Sequence, residues 1–515
     1  MGNGRQTGPD GRGAGRWVLQ AGFALLVLGM VAGCPERQPS PGEPAAEDEP
    51  EAREEAAVDP ALAAVFQPWS GDLEAMIERR YIRVLTVPSP VLYFVDRGRQ
   101  RGAVFEMVKR FENHLNKALA RRHVRVHAVI LPVPRDELVP RLERGQGDLA
   151  IADLTVTPER AERVDFSIPV RSNVAEVLVT GPAAPAVSTL EDLAGRPVHV
   201  RPSSSYAEHL AELNESFRAR GLEPVEIVPA DEYLEAGDIL EMVNAGLVPA
   251  TFVDSPLAEL YGRVFPNLRV HQDLAINTGG EIAWAFRKGS PELESMLNGF
   301  LRSHREGTLV GNVLITRYLE DTRWVENARR PETRARVDEL IGLFTRYAER
   351  YGLEPMMLMA QAYQESGLDH SKRSPAGAVG IMQMLPSTAR DRNVGIPDIS
   401  GLEDNVHAGA KYLSWIMNRY FDDPGIRQID RELLALAAYN AGPARLARLR
   451  NEAGAQGLDP DRWFNNVEVI AARRIGRETV QYVSNIYKYY LTFKALKVQR
   501  EQRLEAREAV LGGGS

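Results

Sequence analysis

One cysteine in 515 residues excludes any intramolecular disulfide, so Cys34 has to be explained by something other than a staple. Histidine is sparse as well. The nine His residues are scattered along the chain, which leaves no metal centre and no cofactor to expect. No glycine-rich loop of the phosphate-cradling kind stands out. Positive charge is not in excess: the formal net charge is −8, and nucleic acid as a partner needs concentrated Lys and Arg. Long hydrophobic runs are also lacking. The stretch from Trp17 to Ala32 is short for a membrane span and carries Gln20. What remains is an ordinary globular composition, 44% hydrophobic and 26% charged, in a chain too long for a single core.

Arg5, Arg12 and Arg16 precede the apolar run "WVLQAGFALLVLGMVAGC", the charge and hydropathy order of an export signal. Val31-Ala32-Gly33-Cys34 resembles the bacterial lipobox. That resemblance implies a signal peptide over 1–33, lipidation of Cys34 and a lipid anchor outside the cytoplasm. Pro35 stands where an Asp often retains lipoproteins in the inner membrane, which favours the outer membrane and its periplasmic face. Residues 34–68, with "PERQPSPGEPAAEDEPEAREEAAVDP", are rich in Pro, Glu and Ala and lack apolar periodicity, so they are expected to be a tether.

From 69 to 320 strand-like and helix-like patterns alternate. "YIRVLTVPSP" reads as a buried strand, and "AVFEMVKRFENHLNKAL" places Phe105, Val108, Phe111 and Leu115 on one helical face. The pattern restarts at "RPVHVRPSSSYAEHLAEL". Two α/β lobes with a mostly parallel sheet and a cleft between them are predicted. "GDLAIADLTVTPERAERVDFSIPV" resembles the signature of bacterial extracellular solute-binding proteins of the amino-acid type. The resemblance implies a periplasmic-binding-protein-like domain in which Arg160 grips a ligand carboxylate, the Thr155 hydroxyl assists, and Asp254 takes the ligand's ammonium. Asp153 stands where small hydroxyl residues are common, and an acid there repels a carboxylate.

From 330 to 500 the patterns are helical throughout, beginning with "PETRARVDELIGLFTRYAERYG" and "LEPMMLMAQAYQES". Residues 501–515 read as a charged tail. "QESGLDHSKRSPAGAVGIMQMLPSTA", "DNVHAGAKYL", "LAAYNAGPARL" and "GRETVQYV", in that order, resemble the lysozyme-like catalytic domain of the soluble lytic transglycosylase type. The fold class expected is therefore multidomain: a two-lobed α/β binding domain followed by an all-α lysozyme-like domain.

The resemblance implies Glu365 as the single acid/base. Burial at a helix end against apolar and Tyr side chains would keep it protonated near pH 7. It further implies that Ser374 orients Glu365, and that Met382 and Gln383 line a sugar groove. Tyr439 and Asn440 would contact the reacting sugar, and Glu478 would bind substrate polar groups. Asp369, Glu403 and Asp404 are the nearest candidates for a second carboxylate, which a hydrolase would need.

The whole chain thus resembles a membrane-bound lytic murein transglycosylase. Peptidoglycan glycan strands are the expected substrate, with a muropeptide or amino-acid-like ligand in the first domain. The alternatives are a solute-binding lipoprotein with a wall-binding module, and a muramidase that uses water.

Overall fold

The segment YIRVLT forms strand Tyr81–Thr86, and five of its six residues are buried because strands run along both its edges. His127–Pro132 pairs with it in parallel from Tyr81↔His127 to Thr86↔Pro132, and Leu149–Thr155 pairs in parallel through Val84↔Leu149. A parallel strand covered on both faces reads as a near-continuous apolar run. The computed structural model behind this description covers residues 59–96, 99–120 and 124–512. Cys34 and the expected signal peptide lie outside the described residues.

The main sheet has the order Ala250–Asp254, Arg171–Thr180, Arg269–Phe286, Leu149–Thr155, Tyr81–Thr86, His127–Pro132. It is mixed, where a mostly parallel sheet was expected. Strand Arg269–Phe286 runs antiparallel to both Arg171–Thr180 and Leu149–Thr155, and Ala250–Asp254 runs antiparallel to Arg171–Thr180. The long strand changes register between His271 and Ala275 and again before Ile282. Such irregularities bend a strand, which lets this one serve both lobes. The first lobe holds the parallel strands. The second holds Arg171–Thr180, Ala250–Asp254 and a separate parallel pair, Pro197–Val200 with Glu226–Pro229.

C-terminal to the lobes the chain is helical. Its principal helices are Pro331–Tyr351, Pro355–Ser366, Leu402–Tyr420, Gln428–Ala441, Pro443–Ala455 and Arg477–Gly512. The last of these, 36 residues long, joins the helical part to both lobes. Its Thr492 hydroxyl donates to the Ile130 carbonyl at 2.8 Å, and Lys488 pairs with Glu112 at 3.2 Å. A second tie is buried: Arg80 of the first lobe forks onto Glu468, at 2.5 and 2.8 Å.

Two expected boundaries move. Within the span read as tether, the Asp59 carboxylate accepts the Ala61 N–H at 2.9 Å and caps helix Pro60–Val65. Leu62, Val65 and Phe66 then bury themselves, so a short apolar triplet at the end of a polar run suffices to dock it. Residues 501–512, read as a charged tail, are instead the last three turns of helix Arg477–Gly512. Arg503 and Arg507 both pair with Asp238 of the second lobe, and Arg507 also with Glu241. Ala506 packs into a cluster with Leu234, Ile239, Met242, Val243 and Val248.

Candidate active site

Helix Pro355–Ser366 is capped at its start and buried along its body. The Glu354 carboxylate accepts the Met357 N–H at 2.7 Å, and Met356 through Ala362 are buried without a break. Gly367 ends the helix at φ 72°, a left-handed conformation that favours glycine. That stop leaves Glu365 in the last turn, half-buried at the edge of the core.

The terminal helix brings Tyr482 to it. The Tyr482 hydroxyl donates to Glu365 Oε1 at 2.6 Å, and the amide of Gln361 donates to the same hydroxyl at 3.3 Å. Gln361 and Glu365 are four residues apart and share a helical face, so one buried phenol reaches both. Burial pushes the Glu365 carboxyl up, while the Tyr482 hydrogen bond and the charge of Lys372 pull it back, leaving it at about 7. Lys372 itself donates to the backbone carbonyl of Glu365. Near neutrality this carboxyl is therefore present in both its acid and its base form.

A loop held by buried side chains frames the acid. Ser366 donates to the Ile381 carbonyl at 2.8 Å and accepts the Asp369 N–H at 3.2 Å. Asn405, fully buried, accepts the Met382 N–H at 2.9 Å and donates to the Val379 carbonyl at 3.0 Å. Gly380, at φ 80°, lies so close that a Cβ there would stand 2.4 Å from the Asn405 side chain. Its glycine thus serves packing against Asn405. Tyr439 donates to the Met382 carbonyl at 3.1 Å, and burial first, then the nearby Glu365 charge, hold its phenol well above the ordinary tyrosine value.

The expected residues fall around this frame. Met382 is buried, and Gln383, at φ 48°, turns its amide onto the Gly380 carbonyl at 2.8 Å. Asn440 is exposed and accepts the Thr479 hydroxyl at 2.7 Å. Glu478 is exposed in the first turn of the terminal helix. Ser374 accepts the Ala378 N–H at 3.0 Å within its own loop, and the hydroxyl that touches Glu365 is that of Tyr482. Tyr482, Gln361 and Asn405 escaped the sequence reading. A signal for Tyr482 existed: it stands four residues after Glu478 in "GRETVQYV", hence on the same side of that helix. As for a second carboxylate, Asp369 is exposed and accepts from Ser371, and Glu403 is exposed and engaged by Arg346 and Tyr347. Asp404 is exposed in the first turn of helix Leu402–Tyr420.

Between the two lobes, Arg160 is buried, with its guanidinium on the Thr155 carbonyl at 3.0 Å, the Ser203 carbonyl at 2.9 Å and Glu208 at 3.1 Å. The group expected to meet a ligand carboxylate is therefore engaged by protein groups across the cleft. The Thr155 hydroxyl accepts from Ser205 at 3.3 Å. Asp254 is buried, and its Oδ1 has no hydrogen-bond partner. Burial, then Glu176 and Asp153, raise this carboxyl to about 7.

Both parts match known families. The model of bacterial extracellular solute-binding proteins, family 3, matches residues 82–312, and that of the transglycosylase SLT domain matches 342–460. A solute-binding domain joined to an SLT domain is the class that fold and site define. A membrane-bound lytic murein transglycosylase F from Desulfosudis oleivorans is 29% identical over 434 residues, covering 81% of this chain and 90% of its own. Another, from Pseudomonas fluorescens strain Pf-5, is 30% identical over 444 residues, covering 81% and 85%. Among solved structures, an ancestral arginine-binding protein bound to arginine aligns over 47% of this chain and 98% of its own, with 23% identity and a TM-score of 0.39. The chain belongs to the family of membrane-bound lytic murein transglycosylase F.

Proposed function

We propose that this protein is a peptidoglycan lytic transglycosylase that cleaves the MurNAc–GlcNAc β-1,4 bond without water, with a ligand-sensing first domain. The observation that carries the reading is the Glu365 carboxyl, poised at about 7 by burial and held by the Tyr482 hydroxyl. Protonated Glu365 gives its proton to the glycosidic oxygen as the C1–O bond breaks. The resulting carboxylate takes the proton of the MurNAc 6-hydroxyl, whose oxygen closes on C1. A 1,6-anhydro ring forms, the leaving sugar keeps the first proton, and Glu365 ends protonated as it began. No water is consumed, so one carboxyl suffices where retaining and inverting hydrolases use two. Asp369 and Glu403 being engaged elsewhere supports that reading.

In the same reading Tyr439, Asn440, Met382, Gln383, Ser374 and Glu478 line or support the sugar groove. The Glu365→Gln variant should lose at least about a thousandfold in turnover of purified peptidoglycan while still sedimenting with it. Retained cleavage by that variant would move the acid role to another residue. Loss of sedimentation as well would point to a broken groove.

The membrane association named in the relatives is assigned here to lipidation of Cys34 and to the outer membrane. Among the described residues no helix is long and apolar enough to cross a membrane. A Cys34→Ser chain should appear in the soluble periplasmic fraction, and its recovery with membranes would contradict the anchor.

A further inference from the structure

Gln361 is the single polar residue in the run "MMLMAQA", and it is fully buried. Its amide nitrogen donates to the Tyr482 hydroxyl at 3.3 Å, and its Oε1 has no hydrogen-bond partner. An amide taken out of water for one hydrogen bond costs more than it returns, so stability does not account for a glutamine here. Its position supplies another reason. It lies one turn before Glu365 on helix Pro355–Ser366, with the Tyr482 hydroxyl between the two side chains.

A phenolic hydroxyl has one proton to give and lone pairs to accept with. Because Gln361 donates into the Tyr482 oxygen, the hydroxyl proton is left for Glu365 Oε1, 2.6 Å away. The three groups form a chain of donors that runs one way, from amide to phenol to carboxyl. Each donor in such a chain strengthens the next. Burial first, then the Glu365 charge, hold the Tyr482 phenol well above the ordinary tyrosine value, and the Gln361 hydrogen bond pulls it back. The direction also decides where the carboxyl carries its own proton. A proton on Oε1 would meet the Tyr482 proton head-on, and the phenol has no acceptor to turn to because the amide presents its N–H to it. Among the described residues no hydrogen bond reaches Oε2, so the proton belongs on that oxygen.

Resting on the acid/base reading above, we infer that Gln361 is a positioning residue for the transglycosylase reaction. By donating to Tyr482 it keeps Oε1 an acceptor throughout and confines the transferable proton to Oε2. Oε2 gives that proton to the glycosidic oxygen as the C1–O bond breaks, and takes the proton of the 6-hydroxyl as the anhydro ring closes. Oε1 keeps the Tyr482 hydrogen bond in both states, so nothing has to turn between the two transfers. Besides Tyr482, the titratable groups near Glu365 are Lys372 of the loop and Tyr439 of helix Gln428–Ala441, and Gln361 bonds to neither. Gln361 therefore acts on the acid through Tyr482 alone.

The test is a double-mutant cycle of Gln361→Met and Tyr482→Phe in the full chain, read as kcat, KM and pH–rate profiles on solubilised peptidoglycan. Gln361→Met should lose about fivefold in kcat at unchanged KM. Its alkaline limb should move to higher pH, by less than in Tyr482→Phe, because a phenol without the amide stabilises the carboxylate less. In the Tyr482→Phe background the same change should cost nothing further. Gln361→Leu provides the reading if Gln361→Met misfolds by circular dichroism, and misfolding of both would assign the amide to the fold and overturn the proposal. An unmoved alkaline limb, a change confined to KM, or losses that add across the cycle would each overturn it too. Glu365→Gln run beside these variants separates the two readings. If it still cleaves, the acid reading fails and this one with it. If it is inactive while Gln361→Met matches the parent, only the role of Gln361 falls.

Discussion

Glu365 works only if its carboxyl can both give and take a proton, and burial and one hydrogen bond dominate that balance. Burial raises it, and Tyr482 lowers it by donating to the charged form. In Tyr482→Phe the second influence is gone, so the carboxyl rises further and the alkaline limb of the rate profile should move to higher pH. Turnover should fall about tenfold because the carboxyl also loses its orientation. A pH–rate profile checks both, and an unmoved alkaline limb would contradict the role given to Tyr482. The same burial has a cost in stability. With the folded value near 7 against an ordinary 4.5, the unfolded chain ionises first, so the group's contribution is intact below about pH 4.5 and is lost as pH rises through 7. Glu365→Gln should therefore be more stable than the parent at pH 8, by about 2 kcal/mol after allowing for its partial exposure, and by nothing at pH 4. Thermal melts at the two pH values read the difference directly.

Among the elements, helix Arg477–Gly512 carries the most. Its first turns place Tyr482 against Glu365, its middle lies on the first lobe through Thr492, and its last turns pair with Asp238 of the second. A chain ending at Arg500 should lose about 3 kcal/mol or more, because Asp238 stays buried without its arginines and the Leu234–Val243 cluster is uncovered. A melting temperature equal to that of the full chain would mean that these turns only rest on the lobe.

The ends of this helix also show what could be read from residues alone. Its beginning announces itself through Gly476 and the block "RETVQYV", whereas "EQRLEAREAV" looks like a solvated tail because its partners, Asp238 and Glu241, are more than two hundred residues away. Local patterning identified the acid-bearing helix. It could not reveal that Tyr482 crosses to Glu365, that Asn405 props the loop at Met382, or that Glu208 engages Arg160, since each contact joins segments distant in sequence. The antiparallel course of Arg269–Phe286 was hidden for the same reason: strand patterning gives burial but not direction.

At the scale of the molecule, lobes and helical part are joined by charges as well as by apolar packing. Glu468 is fully buried and depends on Arg80. Arg80→Ala should destabilise the chain by about 3 to 5 kcal/mol, since the carboxylate left behind is unpaired, while a double change to apolar residues of similar size should recover much of the loss. Denaturant titration of the single and double variants checks this, and additive losses would deny the pairing its importance. These junctions place the ligand cleft and the acid on one continuous frame.

The central claim, however, concerns the acid, and it is tested by weighing products. Purified peptidoglycan digested by this protein should yield muropeptides ending in 1,6-anhydro-MurNAc, one water lighter than their hydrolysed counterparts, and none should appear with Glu365→Gln. Reducing ends in place of anhydro ends would contradict the account and require a second carboxylate that activates water.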